Sequence, residues 1–406
     1  MSRARLILAL TLGIGLLVAG RPDVRASVGS KRAISIEGIH LEGEIGVITR
    51  EGAVTIGDSV RSLDELREIV ALERSDPGDH SPSSAPIDLY LVNGTRLTCL
   101  GVSLLDEQFQ VFTEILGEVR LPIDLVRAAR FRRGFPEPRF MDATASAFEE
   151  DDSDRFFLIQ PRGEVLETNG FVEEIETQEI VFERGDDGKL EDVGRTQIHG
   201  IVLVTPWRKK GNSPPYHVNL TDGSRIVGSS IWKESSELVV GVAPGVELRP
   251  AWSSVTRIGI QSPRLAYLSD LDPKLVKAKP ILSLSREWAR DRSVTFGAMA
   301  IKGAVYEKGI GMAAGSRLDF DCSDFDRFIG SVGIDLSAGG RGDCIFVARI
   351  DGEEIFRKRV RGDAAAFPLN LTLNGARTLS LIVEPGVNLD LSDYANWANA
   401  SLVKTR

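Results

Sequence analysis

The chain has 406 residues, of which 42% are hydrophobic and 26% charged, and a formal net charge of −9 at pH 7. That composition is globular and long enough for about two to four domains with real cores. An acidic chain repels phosphate backbones, which argues against nucleic acid as the main partner; the basic run PWRKKG, Pro206 to Gly211, reads as a solvated loop.

From the N-terminus, Arg3 and Arg5 precede an apolar stretch, Leu6 to Gly20, too short to span a bilayer comfortably. Val24 and Ala26 sit at the small-residue positions before a cut, so residues 1–26 read as a signal peptide. The expected location is secreted, periplasmic or cell-surface, and no later stretch reads as a membrane span. Alternating apolar runs broken by Asn-Gly and Asp-Gly pairs then predict strands. A β module is expected over 33–73, closed by a helix at Ser62–Glu73, with Ser62 and Glu65 as a capping box. Related segments begin at Leu89 and His217, with turns at Asn93-Gly94 and Asp222-Gly223. They predict barrel-like units over 87–131, 155–205 and 216–262 that are similar to Sm-like or SH3-like barrels. The Ser- and Pro-rich stretch Arg74 to Pro86 and the segment 132–154 read as exposed, mobile linkers.

From about Leu265 the texture changes to short strands at regular spacing, which predicts one β-sandwich over 265–405. The fold class expected for the whole is all-β. Three cysteines, Cys99, Cys322 and Cys344, are too few for a disulfide framework; a Cys322–Cys344 bridge and two buried thiols are both open.

Chemical motifs are weak. The loop KGIGMAAGS, Lys308 to Ser316, places its lysine before the glycines and is followed by a strand, so it is no phosphate loop and reads as a glycine-rich β-turn. GDSV, Gly57 to Val60, lacks the late histidine an esterase needs, since His217 is the last one. Arg-Gly-Asp occurs at Arg184, Arg341 and Arg361, each in a turn-rich context. Asp335, Asp343, Asp390 and Asp393 are candidates for a structural calcium, a hard ion that takes several oxygen ligands. Trp288, Tyr306, Tyr394 and Trp397 are candidate sugar platforms, because an aromatic face packs against sugar C–H groups at low entropic cost.

The runs YLSDLDP (from Tyr267), IKGAVYEKGIGMAAGSRLDFD (from Ile301), FDRFIGSVGIDL (from Phe325), CIFVARIDGEEIF (from Cys344), LNGARTLSLIVEPG (from Leu373) and LDLSDYANWANASLV (from Leu389) resemble, in order and spacing, the bacterial NPCBM family of carbohydrate-binding modules. The resemblance implies a jelly-roll sandwich, an extracellular setting and a glycan partner. It also shows a departure. Where the family has a histidine in its Gly-x-His-Ala-x-Ser stretch this chain has Ala313, and Tyr394 replaces the family's histidine after the first Asp of the last motif. The reading is a non-enzymatic glycan-binding protein. Tyr306 and Tyr394 are the expected platform, Arg317 and Asp335 the hydroxyl partners, and Lys308 completes the carbohydrate set. An assembly protein, using the N-terminal units for protein–protein contacts, and a glycoside hydrolase are the alternatives.

Overall fold

The computed structural model describes residues 30–72, 87–131, 140, 143–144, 152–185, 188–204, 215–279, 282, 286–387 and 389–405. The expected signal peptide, the stretch 74–86 and the basic run at 206–211 lie outside the described residues.

The N-terminal two thirds fold as four strand-rich units. In each, the first strand pairs antiparallel with the last: Lys31–Ser35 with Leu66–Ala71, Ile87–Leu91 with Val126–Arg130, Asp154–Ile159 with Ile198–Val202, and Tyr216–Leu220 with Val255–Ile260. A single 3-10 turn precedes every closing strand, at Leu63–Glu65, Ile123–Leu125, Arg195–Gln197 and Trp252–Ser254. The helix expected at 62–73 is therefore corrected to a 3-10 turn and a strand, and Ser62 makes no side-chain cap. A helix of that length is marginal on its own. The run LREIVA instead finds strand partners on both sides, Lys31–Ser35 and Val255–Ile260.

The units do not associate with their chain neighbours in simple order. The second and third join through their closing strands, with Ala129 opposite Ile201; the first and fourth join likewise, with Ile69 opposite Ile258. All four residues are the fourth of their strand, so each junction has a local two-fold symmetry. The second and fourth units also meet reciprocally. Asn93 and Asp222 each accept from the backbone two residues on, at Thr95 and Ser224. Thr95 Oγ1 then accepts from Val227 N at 2.9 Å, and Ser224 Oγ accepts from Thr98 N at 2.9 Å. One apolar core runs through all four units, including Ala33, Leu97, Phe156 and Ile258.

The segment 132–154 is not wholly an exposed linker. Phe140 is fully buried against Phe157, Ala128 and Val202, on the second–third junction. Its ring meets Phe157 edge-on at 5.5 Å and His199 at 5.3 Å. A Cβ at Gly200 would stand 2.5 Å from the Phe140 ring, so glycine is what lets the ring lie on the strand. Arg127, buried beside it, donates to the carbonyls of Leu203 and Ala143 and ties the segment down.

The sandwich has two facing sheets. One holds, in spatial order, Ala289–Arg290, Gly309–Ala313, Tyr394–Val403, Arg327–Ile334 and Phe367–Thr372, with Leu265–Tyr267 also on Tyr394–Val403. The other holds Leu275–Ala278, Ser316–Asp321, Thr378–Pro385, Asp343–Ile350 and Glu353–Arg361. Their inner faces bury Trp397, Phe320, Phe328 and Phe346. Gly309 and Gly311, read from sequence as part of a turn, belong to a strand; the turn is Ala314-Gly315, where Gly315 has φ +82°. Cys322 and Cys344 are free and buried, which resolves the open choice in favour of thiols. The sandwich rests on the first unit through Ile36, which packs with Leu265, Ile329 and Val403.

Candidate functional site

A two-sheet sandwich has two open sides, each flanked by an edge strand from either sheet. On one side the flanking strands are Leu275–Ala278 and Ala289–Arg290, and the opening is a cleft of about 320 Å³. Val276 and Ala278 line it beside Ser316 and Leu318, their cross-strand partners. Side chains alternate across a strand, so these four share the inward face while Arg317 and Asp319 face out. The segment Arg286-Glu287-Trp288, leading into Ala289–Arg290, forms the opposite wall. Trp288 is half-buried against the sandwich core, and the Arg290 guanidinium stands 4.8 Å from its ring. Arg290 is itself anchored to Ser269 O and Asp272, which fixes the indole. The cleft thus offers an aromatic surface, apolar walls and convergent polar groups, Arg286, Glu287 and Ser316, the usual chemistry of a small-ligand site.

The structure scatters the residues expected from sequence. Of them Trp288 lines the cleft and Tyr394 comes near it: Arg286 stands 5.1 Å from the Tyr394 ring and reaches its hydroxyl at 3.5 Å. Tyr394 also pairs directly across from Ala313, so the two departures from the family pattern are cross-strand neighbours at one end of the cleft. Tyr306 packs on Met299, Ile301 and Ala398, over the outer face of the sheet that holds Tyr394–Val403. Arg317 faces outward in a two-pronged bond to Asp319, at 2.7 and 2.9 Å. Tyr306 and Arg317 therefore lie on opposite outer faces of the sandwich. Trp397 is a core residue, 1% exposed. Arg286 and Glu287 were not singled out from sequence; the signal available was the run REWAR, an aromatic set among charges.

Asp335 is also internal. It accepts from Ala300 N, Ser337 N and Asn396 Nδ2, bracing the turn Leu336–Ala338. Burial pushes its carboxyl up, but the bonds from Ser337 and Asn396 outweigh this and hold it below the usual range. Asp343 is clasped by Arg359, Asp393 accepts from Asp343 N at 2.8 Å, and Asp390 accepts from Leu282 N. The arginine bond holds the Asp343 carboxyl down. Each of the four residues expected to hold calcium thus accepts from at least one protein donor, Asp343 from an arginine. Among the described residues no group of three or more His, Cys, Asp or Glu stands ready to hold a metal ion.

Lys308 serves the seam between the sandwich and the N-terminal units. Its ammonium donates to Asp270 at 2.6 Å and Asp291 at 2.9 Å. Nearby, Arg257 bridges Glu68 of the first unit and Glu307 of the sandwich. His217 lies at this seam, its pKa lowered from 6.5 to about 4 by burial first and then by Arg225, Lys308 and Arg257. The unfolded chain therefore binds more protons here between pH 6.5 and 4, so the neutral imidazole's contribution is present above 6.5 and lost as pH falls toward 4. His217→Gln should show a smaller drop in melting temperature from pH 7 to pH 4.5 than the parent chain. An equal drop in both would refute this assignment.

Residues 264–403 match the NPCBM/NEW2 domain family. No curated protein matches the chain. Similar solved structures include a CBM51 module of GH95 from Clostridium perfringens in complex with methyl-galactose, at 26% identity over 34% of this chain and 99% of that one, TM-score 0.32. CBM51-2 and INT domains of Clostridium perfringens ZmpB align at 22% identity over 41% of this chain and 36% of that one, TM-score 0.33. Tandem CBM51 modules of Sp3GH98 from Streptococcus pneumoniae align at 14% identity over 79% and 88%, TM-score 0.31. Among the described residues no helix is long and apolar enough to cross a membrane. Over its C-terminal third, residues 264–403, the chain matches the NPCBM/NEW2 domain family on a two-sheet β-sandwich.

Proposed function

We propose that the protein is a secreted, non-catalytic glycan binder that holds a neutral sugar in the cleft between Ser316 and Trp288. The observation that carries this reading is the half-buried, arginine-braced Trp288 at an open side of a sandwich from a carbohydrate-binding family. The indole takes the C–H face of a sugar ring. Arg286 donates to ring hydroxyls, Glu287 accepts from them, and Ser316 can do either. The four N-terminal units, fused on one core, carry the sandwich as a rigid mount.

A glycan array probed with the full chain tests this. Binding to a defined set of neutral glycans is the expected outcome, without release of reducing ends from the polysaccharides that contain them. Silence across the array together with capture of a protein by the N-terminal units would favour the second reading, an assembly protein. That reading draws on the joining of four units into one body.

A further inference from the structure

On the other open side of the sandwich, the edge strands Glu353–Arg361 and Phe367–Thr372 flank a second cleft of about 440 Å³. Its walls include Lys358, Val360, Arg361, Asp363, Ala364 and Phe367. In this acidic chain, four of the five residues from Arg357 to Arg361 are cationic. Two of the four are neutralised at once: Arg357 by Glu354 and Glu384, Arg359 by Asp343. Lys358 and Arg361 form no ion pair among the described residues, though Arg361 lies across from Asp343 and helps hold its carboxyl down, and both line the cleft.

Lys358 is out of place by pattern. It alternates with Phe356 and Val360, whose side chains pack into the sandwich core, and it pairs across from the buried Phe346. An inward-register lysine at a sheet edge carries its stem along apolar surface and brings its charge out at the rim. Here the ammonium stands 4.7 Å from the centre of the Phe367 ring, which is stacked with Phe356 at 6.1 Å. The ring holds the cation in place without cancelling its charge.

We propose that this second cleft binds an acidic saccharide, its carboxylate or sulfate set at Lys358, with Arg361 on the rim of the same cleft. The volume of this open cleft suits one or two sugar rings. Arg361 offers a planar fork to the anion. Asp363 on the same wall accepts from sugar hydroxyls and disfavours ligands carrying a second anion there. The site stands apart from Trp288 and does not depend on the neutral-sugar cleft.

The test is titration of the full chain with trigalacturonate, its methyl-esterified neutral counterpart, and sodium sulfate. Trigalacturonate binds, the ester at least about tenfold more weakly, and sulfate alone more weakly still. Lys358→Ala and Arg361→Ala each weaken trigalacturonate by about tenfold, and Lys358→Arg restores most of the affinity. Absence of trigalacturonate binding to the parent chain overturns the proposal. So does equal binding by Lys358→Ala; Lys358 then acts only as a charge that keeps an edge strand from pairing with another chain. Sulfate binding as tightly as trigalacturonate also overturns it, by leaving a general anion site. Both residues border solvent, and a melting curve for each variant separates lost binding from lost fold.

Discussion

Trp288→Ala lowers the affinity of the chain for its neutral glycan by at least about tenfold. An aromatic anchor in a cleft typically contributes about 2 kcal/mol or more to binding when truncated, and about 1.4 kcal/mol is one factor of ten. Trp288 supplies the flat surface of the cleft, and Arg290 fixes its ring from one face. Its burial is partial, so the melting temperature moves far less than for a core tryptophan such as Trp397. Tyr306→Ala and Arg317→Ala serve as contrasts. Both residues were expected from sequence to touch sugar, yet they lie on opposite outer faces, away from the cleft. Their affinity should stay within about twofold of the parent chain. Calorimetric titration of the three variants reads this directly. Loss of binding in Tyr306→Ala with retention in Trp288→Ala would move the site to the outer face beside Tyr306.

Phe140→Ala destabilises the N-terminal body by roughly 3–5 kcal/mol, the usual cost of removing a buried phenylalanine. The size of the effect is unexpected for a segment with the composition of a linker. It follows from position: the ring sits on the junction of the second and third units, covering Ala128, Phe157 and Val202. The complementary change, Gly200→Val, should act from the other side. Any Cβ at Gly200 meets both the Phe140 ring and the carbonyl of Ala129, at 2.5 and 2.8 Å. Overpacking of that kind costs about 1–3 kcal/mol and sometimes more. Thermal or urea unfolding of each variant measures the loss. In Gly200→Val combined with Phe140→Ala the penalties should be less than additive, because the two share one contact. Full additivity would show that the ring does not bear on that strand.

Much of the fold was legible because its determinants are local. Alternation gave strands, and Asn93-Gly94 and Asp222-Gly223 gave turns. The sandwich span emerged from the order of its strand runs. What failed depended on partners distant in sequence. LREIVA has helical spacing in isolation, and only its two strand neighbours make it a strand. The pairing of first with fourth and second with third unit is written in the register of closing strands, which carry no motif. Phe140 looked like linker because the residues it packs on, Ala128, Phe157 and Val202, come from three separate strands. Lys308 and Asp335 had suitable chemistry for sugar, but Asp270, Asp291, Asn396 and Ser337 had already claimed them. Trp288 was among the aromatic candidates, whereas its neighbours Arg286 and Glu287 gain meaning only once Ser316 and Val276 face them across the cleft. The replacement of two family histidines by Ala313 and Tyr394 was visible in sequence, but not that they face each other across adjacent strands.

The most direct measurement of the central claim is a crystal structure of the full chain soaked with the neutral glycan that binds best on the array. The account predicts sugar density in the cleft between Ser316 and Trp288, one ring against the indole and hydroxyls within hydrogen-bonding distance of Arg286 and Glu287. Density on the outer face beside Tyr306, or on any of the four N-terminal units with the cleft empty, would contradict it.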